Sequence, residues 1–274
     1  MEELEELQAW EESLTKWLES LRNRILAVNA VVLENLSQFV DRIDNTLTLS
    51  ENLTVLLDAQ TRLPQLIQTA GFNGLVNGLV KKVGETISKL EVYFQKIFGD
   101  NDKVRKVTDA FKNSIAMVRQ SLLGEGVQQG MVSEIVKTLQ FHIYSKSNKA
   151  VFRKALQQVL GSAGQPVKFV STYSSDALYQ FSRAYTQEVT KELDTQYFYY
   201  MGNRIETTRE FCNARHGKAF TKKQVLSWLG LEWKGKIPGT TVQSIFMYVG
   251  GYNCRHRIIP ISKEMFLYLG GVLA

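Results

Sequence analysis

Gln196-Tyr197-Phe198-Tyr199-Tyr200-Met201 is the stretch on which the fold turns. Four consecutive aromatics carry no 3.6-residue period, and such side chains favour a strand. Just upstream, Leu178, Phe181, Tyr185, Val189 and Leu193 recur every three or four residues, the spacing of one helix face. Ser174 and Ser175 are candidate N-caps for that helix. Downstream come turns, Gly pairs and short strand-like runs. Residues 1–195 are therefore expected to be helical, with strands confined to about 196–262.

Farther upstream the helical period continues. Leu4, Leu7, Leu14, Leu18, Leu21, Ile25, Val28 and Val32 form a heptad seam, interrupted by Glu11 and Asn35 and widened by Trp10 and Trp17. Packing on the chain's own body and self-association through residues 1–43 both fit this seam. Ser50 is a candidate cap for a helix through Leu57 toward Pro64. A second helix is expected from about Gly71 through Ile87, Leu90, Phe94 and Ile97 to the turn at 99–102, and a third from Lys103 to Leu123, ended by Gly124 and Gly126. Two more follow, around Val132–Ile143 and Val151–Val159. Gly71, Gly74, Gly78 and Gly84 suit either close helix packing or an amphipathic face seeking a membrane surface. The expected fold class is mainly α: an elongated helical N-terminal region and then a small α+β C-terminal domain. The divisions are an acidic amphipathic arm (1–45), a helical region (46–195) and the α+β domain (196–274).

Composition sets the outer limits. The chain has 274 residues, 44% hydrophobic and 22% charged, which excludes wholesale disorder. Four prolines favour long helices, and two cysteines cannot make a disulfide framework. No 18-residue apolar run occurs, so no stable membrane anchor is expected. The acidic start, Met1-Glu2-Glu3-Leu4-Glu5-Glu6, is unlike a signal peptide and points to a reducing cytoplasm. The net charge of +6 is uneven: residues 1–60 carry 4 Lys/Arg against 12 Asp/Glu, and residues 151–274 carry 16 against 8. A basic body suits a polyanion, or is an ordinary solvated surface.

Chemistry-bearing residues gather at the C-terminal end. Cys212 and His216 are four apart, as on one helix face; Cys254 and His256 are two apart, as on one strand face. Together they offer four ligands for one structural zinc. Two buried thiols with two polar histidines, and a Cys212–Cys254 disulfide, are the other readings. Residues 204–257 hold ten Lys/Arg against three Glu: Arg204, Arg209, Arg215, Lys218, Lys222, Lys223, Lys234, Lys236, Arg255 and Arg257 are candidate phosphate contacts. Trp228, Trp233, Tyr248 and Tyr252 interleave with them, although aromatics in a small domain more often form core.

The flanks of the Cys/His pairs carry a family likeness. Thr207-Thr208-Arg209-Glu210-Phe211-Cys212-Asn213-Ala214-Arg215-His216-Gly217-Lys218-Ala219-Phe220 is followed by Gly250-Gly251-Tyr252-Asn253-Cys254-Arg255-His256 and then Ile259-Pro260-Ile261-Ser262. Over about 60 residues this resembles the C-terminal domain of the phage Mu F-like minor head proteins, the phage head-morphogenesis family. Many members carry a second cysteine where this chain has His216. The resemblance implies a non-enzymatic minor capsid protein in the virion interior. Its expected partners are portal and capsid proteins and packaged double-stranded DNA, bound without sequence preference, with the host cytoplasm as the place of assembly. The competing reading is a metal-dependent nuclease or hydrolase using the Cys/His cluster, with Glu206 or Glu210 as general base.

Overall fold

The computed structural model describes residues 2–43, 46–121, 123, 128–252 and 254–272. Its helices are α1 (Glu2–Arg42), α2 (Leu49–Ile67), α3 (Asn73–Phe98), α4 (Asp102–Ser121), α5 (Ser133–Tyr144), α6 (Lys149–Leu160) and α7 (Gln165–Leu193). Then come β1 (Tyr197–Gly202), α8 (Glu210–Asn213), β2 (Ala219–Thr221), α9 (Lys222–Ser227), α10 (Ile245–Tyr248), β3 (His256–Pro260) and α11 (Lys263–Tyr268). The chain is mainly α with a small antiparallel sheet near its C-terminal end, and the described strands lie within 197–260.

Two compact units divide this chain. The first takes Met1–Lys16, Lys81–Ile115 and Asp176–Ala274; the second takes Trp17–Val80 and Ala116–Ser175. The partition thus follows a different course from the sequence divisions at 45 and 195. Residues 196–274 share a unit with parts of α1, α3, α4 and α7, for a reason visible in the sheet.

The sheet of the first unit has the order β2-β1-β3, with Tyr199 opposite both Ala219 and Ile259. Alternate side chains of a strand face opposite sides. Tyr199, Met201 and Ile259 pack with Leu4, Leu7, Ile87, Leu90, Phe94, Tyr185 and Val189 of the long helices. Phe198, Tyr200 and Ile258 pack instead with Phe211, Val225, Trp228, Ile245, Val249 and both cysteines. Both faces are buried, so the strand sequence is apolar throughout rather than alternating. α7 is buried on more than its apolar stripe: Ser182, Arg183, Thr186 and Thr190 are also inside. Thr186 and Thr190 return their hydroxyls to the carbonyls of Ser182 and Thr186.

The seam of α1 is used inside the chain. Leu4, Leu7, Leu14, Leu21, Ile25, Val28 and Val32 are all buried. These residues form core within the chain, as packing on its own body requires. The interruption at Glu11 has a partner, because Glu11 forms a buried ion pair with Arg257 of β3. Asn203 donates to the Glu11 carbonyl (3.3 Å) and to Thr15 Oγ1 (2.7 Å), and Thr15 meets the Tyr179 hydroxyl.

In the second unit, helix starts differ from the expected ones. Thr48, not Ser50, caps α2, in a capping box with Glu51. α2 passes through Pro64 to Ile67 and continues as a π-turn, Gln68–Phe72, in which Gly71 adopts φ 115°. That value lies in the region glycine tolerates, and it kinks the chain into α3. Ser174 and Ser175 fall inside α7, which begins at Gln165 with Pro166 in its first turn, where a missing N–H costs nothing. Of the spaced glycines, Gly78 faces Trp17, while Gly74 has open space around it. Among the described residues, no helix is long and apolar enough to cross a membrane. The expected stop at Gly124 and Gly126 lies outside the described residues.

Candidate metal centre

The two Cys/His pairs arrive by different routes. Phe211 and Cys212 lie on α8, whose four residues are too few to stand alone. Cys254 sits just before β3, and His256 is its first residue, opposite Gly202 of β1. Cys212 Sγ is 3.9 Å from Cys254 Sγ, and Cys254 Sγ is 3.8 Å from His256 Nδ1. Both thiols are free. Cys212, Cys254 and His256 are all buried, and their ligand atoms lie within 4.8 Å of one another. His216 stands beside this group but outside it. Its ring meets that of His256 edge-on, at a centroid distance of 5.8 Å.

The surroundings hold the group in place. The Gly250 carbonyl accepts from Trp233 Nε1 (3.1 Å) and Arg209 Nη1 (3.3 Å), and Arg209 also donates to the Tyr252 carbonyl. A Cβ at Gly250 would come within 3.0 Å of both sulfurs, so only glycine leaves them room. Arg183, buried on α7, donates to the carbonyls of Met247 and Cys254. Cys212 donating to Cys254 holds the Cys254 thiol well below its ordinary range, helped by His256 and Arg183; the same contact, with burial, pushes Cys212 up. Burial lowers His216, and the neighbouring His256 adds to this. Two thiols and imidazole in this arrangement are donors for a borderline-soft cation such as zinc.

A cleft of about 1020 Å³ opens along one side, lined in part by Glu206, Arg209, Glu210, Trp233, Lys234 and Arg255. Cys212, Cys254 and His256 form part of its wall.

The basic residues separate into two sets. Arg257 is corrected as a phosphate contact, because it is buried against Glu11. Burial lowers its guanidinium to about 9, and the Glu11 carboxylate is the counter-charge such a group requires. Arg209 clamps the Gly250 loop, as above. Arg215 lies over the rings of Phe211 (3.7 Å) and Trp228 (4.8 Å), and Lys236 lies over Trp233 and pairs with Glu232. Lys222 pairs with Asp194, and Arg255 is half-buried. Arg204, Lys218, Lys223 and Lys234 are exposed. Trp228 belongs to the core cluster and Trp233 packs against it.

The supporting roles of Arg183 and Glu11 do not follow from their local sequence. A charged residue beside an apolar helical stripe, or within a heptad seam, was the available signal. Comparison with protein-family models, curated proteins and solved structures found no match.

Proposed function

We propose that the chain is a non-enzymatic minor capsid protein of a tailed phage. It is made in the host cytoplasm, lies inside the head, and associates with portal or capsid proteins and packaged DNA. The support is the resemblance at 207–220 and 250–262, together with one structural observation. The two stretches that carry the resemblance meet at the Cys212–Cys254 contact of 3.9 Å and form one packed cluster. DNA contact rests on the exposed Arg204, Lys218, Lys223 and Lys234, cations of the kind that meet phosphates.

Protein mass spectrometry of purified full and emptied heads tests the location. The chain should be present in both, and its absence from both would overturn the reading. Binding to duplex DNA should fall steeply with salt and be equal across sequences. Lys218→Glu, Lys223→Glu and Lys234→Glu together should weaken it uniformly.

A second reading, a metal-dependent nuclease or hydrolase, draws support from the cleft, which brings Glu206 and Glu210 to the wall shared with Cys212, Cys254 and His256. Against it stands the burial of the three ligand residues, each 4% exposed or less. Chelator-sensitive cleavage of DNA by the purified chain, lost in Glu206→Gln or Glu210→Gln, would replace the capsid reading with this one.

A further inference from the structure

We infer that Cys212, Cys254 and His256 hold one Zn²⁺ tetrahedrally and that His216 closes the fourth position, making the centre structural and leaving no place for a reactive water. Zinc–sulfur bonds of about 2.3 Å and zinc–nitrogen bonds of about 2.0–2.1 Å fix the edges of such a tetrahedron at about 3.8 Å between sulfurs and about 3.6 Å between sulfur and nitrogen. The chain already presents 3.9 Å between Cys212 Sγ and Cys254 Sγ, and 3.8 Å between Cys254 Sγ and His256 Nδ1. Two sulfurs at that separation are too far apart for a disulfide and at the right spacing for a shared cation.

The fourth ligand follows from an unmet need. His216 Nδ1 is buried without a hydrogen-bond partner. Its backbone N–H bonds to the Cys212 carbonyl in a helical turn (2.9 Å), so the two side chains rise from one face. The ring meets that of His256 edge-on at a centroid distance of 5.8 Å, and the closure requires it to turn about its side-chain torsions toward the sulfurs. Zn²⁺ with two thiolates and two neutral imidazoles carries no net charge, and any proton still on a thiol leaves on binding. A neutral centre suits an apolar cluster containing Phe198, Phe211, Trp228 and Ile258. The Gly250 backbone packs against both sulfurs, where any side chain would collide with them.

This site stands apart from the capsid reading, because metal content and spectrum are read on the isolated full-length chain. Reduced, chelator-treated protein would be titrated with Co²⁺ and then competed with Zn²⁺. The expected result is one Co²⁺ per chain, with thiolate charge-transfer absorption, the intense visible bands of a tetrahedral centre, and displacement by one Zn²⁺. His216→Ala should weaken the visible bands as water enters, and lower zinc affinity by at least about tenfold, the order lost when even an outer-shell partner is removed. His216→Cys, which restores a ligand, should keep a tetrahedral spectrum with stronger sulfur absorption. A reduced chain that takes up no Co²⁺, or takes it up with the weak bands of an octahedral centre, would overturn the site. His216→Ala with unchanged bands and affinity would overturn the closure.

Discussion

The two faces of the sheet are covered by very different material. One packs against long helices, where Leu4, Leu7, Ile87, Leu90, Phe94, Tyr185 and Val189 come from apolar stripes. The other packs against α8, α9 and α10, which have four, six and four residues, and the loops between them. Helices that short have no stability of their own and hold position only through what they pack on. On the helical face, regular periodicity supplies the buried area. On the turn side, an apolar cluster built from loops and single turns is fixed by individual anchors: Trp233 and Arg209 on the Gly250 carbonyl, and Arg183 on the Cys254 carbonyl. The helical face is anchored too: the buried Glu11–Arg257 pair ties α1 to β3.

That contrast can be broken at the ion pair, where the largest effect is expected. Glu11→Ala strands a buried guanidinium and should cost about 3–5 kcal/mol. The double change Glu11→Leu with Arg257→Met should recover most of that loss, since an apolar pair of similar volume needs no counter-charge. Denaturant midpoints of the two variants decide it; equal loss in both would mean that the pair's shape, not its charge, matters.

On the turn side, Gly250→Ala puts a methyl against both sulfurs and should cost about 1–3 kcal/mol by overpacking. The loss should appear in the fluorescence of Trp228 and Trp233, which line that cluster. Gly74→Ala supplies a contrasting glycine from a helix of the second unit. Gly74 lies in α3 with open space around it, so alanine should stabilise by up to about 1 kcal/mol through helix propensity alone. A loss at Gly74 comparable with that at Gly250 would dissolve the distinction between the two kinds of glycine.

The smallest effect lies away from the sheet. His142 on α5 stacks on Phe152 and bonds Ser147 through Nδ1 (2.8 Å), and burial lowers its pKa. The unfolded chain then binds a proton more readily than the folded one. This contribution to stability is intact above about pH 6.5 and is lost as pH falls toward the folded value. Denaturant midpoints at pH 7.5 and 5 should show a drop that His142→Gln reduces. An NMR titration placing His142 at or above its ordinary value would reverse the sign.

Some of this architecture was legible in the residues. The stripes of α1, α3 and α7 could be read because each burial decision repeats every three or four positions, and many residues vote for one face. β1 could be read because aromatics displaced that period at Tyr197. Helix boundaries were less legible: Thr48 and Ser50 are both good caps, and only the reciprocal bond with Glu51 chooses between them. The Cys/His pairs were visible as rare residues at ligand spacing.

By itself, then, the sequence determined the helical majority, the place where strands begin, and the two short elements that carry the cysteine and histidine pairs, because these depend on neighbours within a few positions. Tertiary structure alone decided that Glu11 meets Arg257, that Arg209, Arg215 and Lys236 turn inward while Lys218 and Lys234 face water, and that Cys212 lies 3.9 Å from Cys254. Those outcomes depend on contacts across tens to hundreds of residues. A charged or thiol side chain has the same local sequence signature whether it faces solvent or a buried partner; its environment is fixed only when distant segments close around it.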